Sequence, residues 1–171
     1  VATSNIATVH VTVNEVNDLP VANDDYNSTD EDTSVWCDVL ANDSDPDGSI
    51  DPSTVSIAAD PSNGSVIVHP NGTIEYTPNA NYSGMDSFAY TVNDTNGATS
   101  NIATVQITVN EVNDPPVAND DHNSTGEDNT SWFDVLANDT DVDDSLDPAT
   151  VNITAGPSDG TVIVDPNGRI E

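Results

Sequence analysis

Two loops of the chain concentrate the oxygen-bearing side chains that bind hard cations. The first loop runs from Asn42 to Asp51 and the second from Asn138 to Asp147. In both loops carboxylates fall on alternate residues, so a tight turn brings several of them toward one ion. Ca²⁺ takes roughly six to eight oxygen ligands at about 2.3–2.6 Å and tolerates irregular geometry. We therefore predict Ca²⁺ binding by the aspartates of both loops: Asp43, Asp45, Asp47, Asp51, Asp139, Asp141, Asp143 and Asp147.

The first loop begins like an EF-hand loop, with aspartates on alternate residues from Asp43 onward. An EF-hand needs a bidentate glutamate at its twelfth position, where this sequence has Thr54. No helical pattern flanks the loop either. The sequence therefore excludes an EF-hand, and the alternative to a metal site is an acidic turn on the surface.

The charge balance of the chain points in the same direction. There are 31 acidic residues against one basic residue, Arg169, and the formal net charge is −30. Such a chain repels nucleic acids and anionic lipids, because Lys and Arg supply the affinity for phosphate groups. Two carboxylates about 4 Å apart repel each other by about 4 kcal/mol near a protein surface. The fold therefore requires divalent cations or a salt-adapted, solvated acidic surface, and both interpretations stay open.

A long internal repeat sets the domain organisation. The segment from Val13 to Asp25 returns as Val109 to Asp121, and 53 of the 75 positions in residues 1–75 match residues 97–171. High identity at a fixed spacing indicates tandem copies of one domain. We assign residues 1–18 to the C-terminal strand of a preceding repeat, 19–114 to a complete repeat, and 115–171 to the N-terminal part of a third, truncated repeat.

Within the complete repeat, apolar residues alternate with polar ones and turn residues recur frequently. Phe88, Tyr90 and Val92 form one such run. The Asn-Gly pair before Ile74 predicts a β-hairpin with the preceding apolar segment. About seven short strands in one repeat are typical of an Ig-like sandwich. The sequence therefore predicts an all-β protein of tandem Ig-like or cadherin-like β-sandwich repeats.

The two tryptophans occupy equivalent positions in successive repeats. Trp36 precedes Cys37, and Trp132 precedes Phe133. Because phenylalanine takes the place of this cysteine in the next repeat, we expect Cys37 to be a small hydrophobic residue of the core. Strand alternation then turns both indoles outward. We expect either partial cover by a neighbouring loop or a periodic contact surface for another copy or a ligand such as carbohydrate.

No catalytic arrangement is present in the sequence. There is no Ser-His-Asp pattern, no Gly-rich phosphate loop and no Cys/His metal spacing. None of the three histidines recurs in the equivalent position of the other repeat, as expected of solvated side chains. We therefore expect that the protein is not an enzyme.

Three phrases resemble a known family over essentially the whole chain. They are Asn-Glu-Val-Asn-Asp-Pro-Pro-Val-Ala-Asn-Asp-Asp, Val-Leu-Ala-Asn-Asp-x-Asp-x-Asp, and Tyr-Thr-Pro-Asn-Ala-Asn-Tyr-Ser-Gly-x-Asp-Ser-Phe-x-Tyr. They are similar to the cadherin-like repeats of large microbial cell-surface and adhesin-type proteins. That resemblance implies Ca²⁺ at the linkers between repeats. It assigns Asn113 and Asp114 to the linker, Asp94 to the upstream domain and Glu127 to the downstream domain. At the first junction it assigns Asn17, Asp18 and Glu31.

The expected function is that of a calcium-stabilised structural or adhesive segment of a long extracellular surface protein. Its expected partners are neighbouring repeats, other copies of itself and a surface or matrix ligand, with no nucleic acid and no membrane insertion. The chain contains ten Asn-x-Ser/Thr sequons, which permit N-glycosylation. The alternative is a subunit of an extracellular filament or surface layer that assembles by strand exchange. It is motivated by a lone strand at residues 1–18 and by a third repeat without a counterpart of Tyr76–Val109.

Overall fold

The computed structural model describes all residues from 1 to 171 and contains two compact units, Val1–Glu111 and Val112–Glu171. The first unit holds seven strands: β1 (Asp25–Asp30), β2 (Val35–Cys37), β3 (Ile50–Ala59), β4 (Gly64–Val68), β5 (Ile74–Pro78), β6 (Gly84–Asp94) and β7 (Ala103–Asn110). They form a four-stranded sheet of order β1-β7-β6-β3 and a three-stranded sheet of order β2-β5-β4. The predicted all-β fold is confirmed.

The core of the first unit lies between the two sheets. β6 and β7 pair antiparallel at the centre of the larger sheet, and β1 runs parallel to β7. Phe88, Tyr90 and Val92 alternate along β6 with more exposed residues and are at most 2 % exposed. Tyr76 on β5 is also fully buried, and its ring stacks against that of Phe88 at 6.3 Å. The period-2 pattern of the sequence therefore creates the buried face.

Local details agree with most of the strand predictions. β4 and β5 form the predicted hairpin, whose turn includes Gly72 with a positive φ of 86°. Cys37 is buried, whereas Trp36 on the same short strand is 55 % exposed, as alternation requires. A register shift between Ile57 and Ala59 interrupts the pairing of β3 with β6, and Ala59 at the end of β3 is exposed.

Residues 1–19 are exposed and form no strand in the structure, although their sequence alternates like that of β7. A strand needs a neighbour to receive its backbone hydrogen bonds, and no such neighbour pairs with this segment.

The second unit contains less regular structure. It has strands β8 (Phe133–Asp134) and β9 (Arg169–Ile170), which pair antiparallel, and one 3₁₀ turn at Pro148–Thr150. A cleft of about 580 Å³ lies among its apolar side chains, with Val117, Leu136, Leu146, Val151 and Ile170 in its lining. No helix in either unit has the length and apolar character needed to cross a membrane.

Candidate calcium sites

The acidic loop Asn42–Asp51 does not fold into a single cluster. Asp43 accepts a hydrogen bond from the Tyr90 hydroxyl at 2.9 Å. Asp51 instead accepts bonds from the backbone and side chain of Ser53, which close a local turn at the start of β3. Only Asp45 and Asp47 share a neighbourhood. The structure thus brings Asp45 and Asp47 together and gives Asp43 and Asp51 other partners, because the chain turns between them.

Asp45 and Asp47 form the first candidate site, at the N-terminal edge of the complete repeat. Oδ1 of Asp45 accepts the backbone N–H groups of Asp47 and Gly48 at 3.2 and 3.1 Å. Oδ2 of Asp47 accepts the N–H of Asp18 at 3.0 Å. The remaining oxygens, Oδ2 of Asp45 and Oδ1 of Asp47, are shielded from solvent and receive no hydrogen bond. A buried carboxylate oxygen without a donor is costly, and a bound cation removes that cost.

Asn17 connects the same linker to the end of β6. Nδ2 of Asn17 donates to Oδ2 of Asp94 at 2.7 Å, and Oδ1 of Asn17 accepts a hydrogen bond from Nδ2 of Asn96. Asp94 is only 2 % exposed, and its Oδ1 accepts the N–H groups of Asn96 and Ala98 at 2.9 and 2.8 Å. In the linker, Asn17 therefore contacts Asp94, and Asp18 contacts Asp47.

The charge state of Asp94 follows from these contacts. The amide of Asn17 gives the largest effect and lowers the pKa of the Asp94 carboxyl below its ordinary value. Burial opposes this shift, and the backbone N–H groups of Ala98, Asn96 and Gly97 support it. Hydrogen bonds to a carboxylate favour its charged form. Asp94 is thus held as an anion, which is the form that binds a metal ion.

The second unit repeats part of this geometry. The N–H of Asp114 donates to Oδ2 of Asp143, as that of Asp18 does to Asp47. Oδ1 of Asp141 accepts the N–H groups of Asp143 and Asp144 at 3.1 and 3.2 Å. Nδ2 of Asn113 donates to the carbonyl of Asp114 at 2.8 Å. This local arrangement is therefore encoded in the linker and the acidic loop.

Two residues of the second loop have other local partners. Asp147 caps the 3₁₀ turn through the N–H of Ala149, and Asp139 accepts the N–H of Asn119. Neither residue joins the pair formed by Asp114 and Asp143. The aspartates of the second loop therefore also hydrogen-bond to several different partners.

Three residues assigned to the junctions lie at different places in the two units. β6 runs antiparallel to β7, so Asp94 lies at the sheet end where β7 begins and not where it leaves the unit. The structure brings Asp94 to Asn17 of the first linker, and its role at the second junction stays a prediction. Glu31 directly follows β1, and its N–H donates to the carbonyl of Asn110 at the end of β7. This end of the sheet is about 20 Å, the length of β1, from the end where Asn17 lies. Glu127, the counterpart of Glu31, is exposed and is not brought to the Asp114–Asp143 pair.

The donor set fits Ca²⁺ better than a transition metal. No three histidine, cysteine, aspartate or glutamate side chains are arranged as a preformed metal site in the structure. The groups that do meet are carboxylates, amides and backbone atoms, which together offer oxygen. Ca²⁺ accepts backbone carbonyl and amide oxygens beside carboxylates. The residues that would hold it are Asp45 and Asp47, with Asn17, Asp18 and Asp94 beside them.

Asp25 belongs to an acidic cluster that the sequence did not reveal. The buried Tyr90 hydroxyl has one proton but lies within 2.7 to 3.4 Å of four acceptors, in Val39, Asp43, Asp25 and Asn23. Burial and the charge of Asp43 raise the pKa of Asp25 to about 6. Burial also raises the pKa of Asp43. The only sequence signal was the repeated Asn-Asp-Asp run, because Tyr90 is 65 residues away from Asp25.

These features define an Ig-like β-sandwich repeat with acidic loops at the edge where the chain enters. The family model described as bacterial Ig domain matches residues 17–108 and 113–171. The chain therefore belongs to the bacterial Ig domain family and carries two matches to it in tandem. No curated protein matches the sequence. The family places the chain among structural repeat modules.

Proposed function

We propose that this chain is a calcium-stabilised structural and adhesive segment of a long extracellular surface protein. The observation that carries the proposal is the pair of buried, unpartnered carboxylate oxygens on Asp45 and Asp47 beside the linker residue Asp18. A chain of net charge −30 has almost no internal cation to offset them. A hard divalent cation supplies the missing charge.

Calcium at this position would also fix the linker. Asn17 and Asp18 precede Pro20, which is fully buried, and their side-chain and backbone groups already bond Asp94 and Asp47. An ion held by the same carboxylates would tie the linker more firmly to the sandwich that follows. Repeated along a longer chain, such ties would turn flexible joints into stiff ones.

The test is the dependence of the melting temperature on Ca²⁺ in low-salt buffer. A ligand at 100 times its Kd adds about 2.7 kcal/mol to the free energy of unfolding, which raises the Tm of a domain this size by about 10 °C or more. The wild type should show this rise and lose it in EDTA. The variant Asp45→Asn/Asp47→Asn should be at least as stable in EDTA, because it lacks two repelling charges, and should gain little from Ca²⁺.

Asp60→Asn provides the matched control, because Asp60 is an exposed loop aspartate outside the site. This variant should keep the full response to Ca²⁺. An equal Ca²⁺ response in Asp45→Asn/Asp47→Asn and Asp60→Asn would refute specific binding and leave only general charge screening.

Assembly by strand exchange is the second candidate function. One observation favours it: residues 7–14 repeat the sequence of β7 with two changes, and Val9, Val11 and Val13 within them are at least 80 % exposed. An unpaired strand of this kind can add to the sheet of another molecule. Light scattering with wild type and Val11→Asp separates the two functions. Long polymers that disappear in the variant indicate strand exchange, and a monomer in both indicates the spacer.

A further inference from the structure

The outer face of the three-stranded sheet carries an exposed tryptophan that stacks on a histidine. The indole of Trp36 stacks on the imidazole of His69, with ring centroids 4.2 Å apart and an angle of 27° between the planes. In the second unit, the guanidinium carbon of Arg169 lies 5.9 Å from the ring centroid of Trp132. The chain has only one arginine and three histidines, and the arginine and one histidine lie on its two tryptophans.

These two contacts come from different positions of the repeat. The counterpart of His69 in the second unit is Asp165, and the counterpart of Arg169 in the first unit is Thr73. Each indole therefore packs against a nitrogen-containing side chain, by ring stacking on an imidazole in the first unit and by a cation–π contact with a guanidinium in the second. An aromatic face attracts cations because of its quadrupole, and tryptophan is the strongest of the three aromatic side chains in this respect.

Other outward residues beside Trp36 complete a site for a cation. Glu75 lies directly across from Trp36 in the β2–β5 ladder, and Ile67 lies directly across from Glu75 in the β4–β5 ladder. Oε2 of Glu75 is 3.4 Å from Nε2 of His69, but the two atoms do not have hydrogen-bond geometry. Trp36 remains 55 % exposed, and the neighbouring Glu75 side chain is 25 % exposed, so a partner can reach the indole and part of the carboxylate.

We propose that this outer face binds a lysine or arginine side chain of a basic partner protein, through the Trp36 ring and the Glu75 carboxylate. This proposal rests on the adhesive role proposed above and states which side chains the partner would present. Binding at this face does not require the calcium sites. The net charge of −30 steers a basic partner toward the chain. A second copy does not fit, because the chain has no lysine and its single arginine already lies on Trp132.

The experiment measures the Kd of a dye-labelled glycine-serine peptide that contains arginines, using fluorescence anisotropy. Its counterpart with citrulline in place of arginine has nearly the same shape without the charge. Salt is set high enough that the screening length falls below about 8 Å, which removes most of the long-range attraction. Removing one exposed cation–π contact by Trp36→Ala should weaken arginine-peptide binding about two- to fivefold, and Trp36→Phe should restore part of the loss.

Met85→Ala is the matched control, since Met85 is an exposed apolar residue on the other sheet and its replacement also leaves the net charge unchanged. A melting curve for each variant checks that the fold is intact. Two results would overturn the proposal: equal binding of the arginine and citrulline peptides, or equal losses in Trp36→Ala and Met85→Ala. Repeating the titration in EDTA separates this outcome from that of the calcium proposal, because Trp36-dependent binding should persist there.

Discussion

The two units have similar sequences in their acidic loops, yet only part of their structure is the same. Asp43 and Asp139 accept the N–H groups of Asn23 and Asn119 at 2.8 and 2.7 Å. The other oxygen of Asp43 bonds Tyr90 on β6, for which residues 112–171 contain no counterpart. Contacts within the loop and linker are thus repeated, whereas contacts to the β6–β7 hairpin are confined to the first unit.

The apolar core shows the same contrast. Val39 is completely buried in the first unit, and its counterpart Val135 is only half-buried beside the cleft of the second. Linker and loop geometry is therefore determined locally, while burial of the core is supplied by strands distant in sequence.

The largest expected effect comes from truncating this valine in each unit. Full burial of a valine side chain contributes about 1.5–3 kcal/mol, so Val39→Ala should lower the free energy of unfolding of the first unit by about 2 kcal/mol. Val135→Ala should cost less than half as much in the second unit. Urea unfolding followed by Trp36 fluorescence in a Trp132→Phe background, and by Trp132 fluorescence in a Trp36→Phe background, measures the two effects. Equal costs would contradict the contrast between the cores.

The turn glycines give the next largest effect. Gly72 has a φ of 86°, and a Cβ placed there would lie 2.6 Å from Cδ1 of Leu40. Gly97 has a similar φ of 91° with no atom within 4 Å of that position. Gly97→Ala should therefore cost about 1 kcal/mol from backbone strain alone, and Gly72→Ala about 2 kcal/mol because it adds a steric clash. Thermal unfolding of both variants checks the difference, and the reverse order would contradict the packing around Leu40.

The smallest expected effect is a pH dependence specific to the first unit. The pKa of Asp25 is raised from 3.8 to about 6 by burial and by Asp43, so the folded state binds more protons than the unfolded state between these values. Stability should therefore fall as the pH rises from about 4 to about 6, by about 1 kcal/mol after solvent screening. Asp25→Asn should flatten this part of the curve of unfolding free energy against pH in EDTA. An unchanged slope would show that Asp25 does not titrate in this range.

Much of the fold could be predicted from the sequence because it rests on local patterns. Alternation placed Cys37 inside and Trp36 outside, and the Asn-Gly pair located the β4–β5 hairpin. Family membership agrees with the predicted Ig-like repeat. These features depend on residues that are close together in the chain.

The candidate site was harder to predict, because neighbours in sequence do not always share a site. Asp43 and Asp45 are two residues apart, but one faces Tyr90 and the other faces the turn at Gly48. Conversely, Asn17 and Asp94 are 77 residues apart and in direct contact. The direction of β6 decides that contact, and strand direction can be assigned only when the sheet topology is known.

The most direct measurement of the central claim is a Ca²⁺ titration of the EDTA-treated protein followed by the backbone amide resonances. Calcium binding at the linker should produce saturable shifts at the amides of Asp18, Asp47 and Gly48, and at those of Asp114 and Asp143 in the second unit. The amide of Asp60 should stay in place. Shifts of equal size at all exposed aspartates, or none at the linker amides, would contradict the proposed sites.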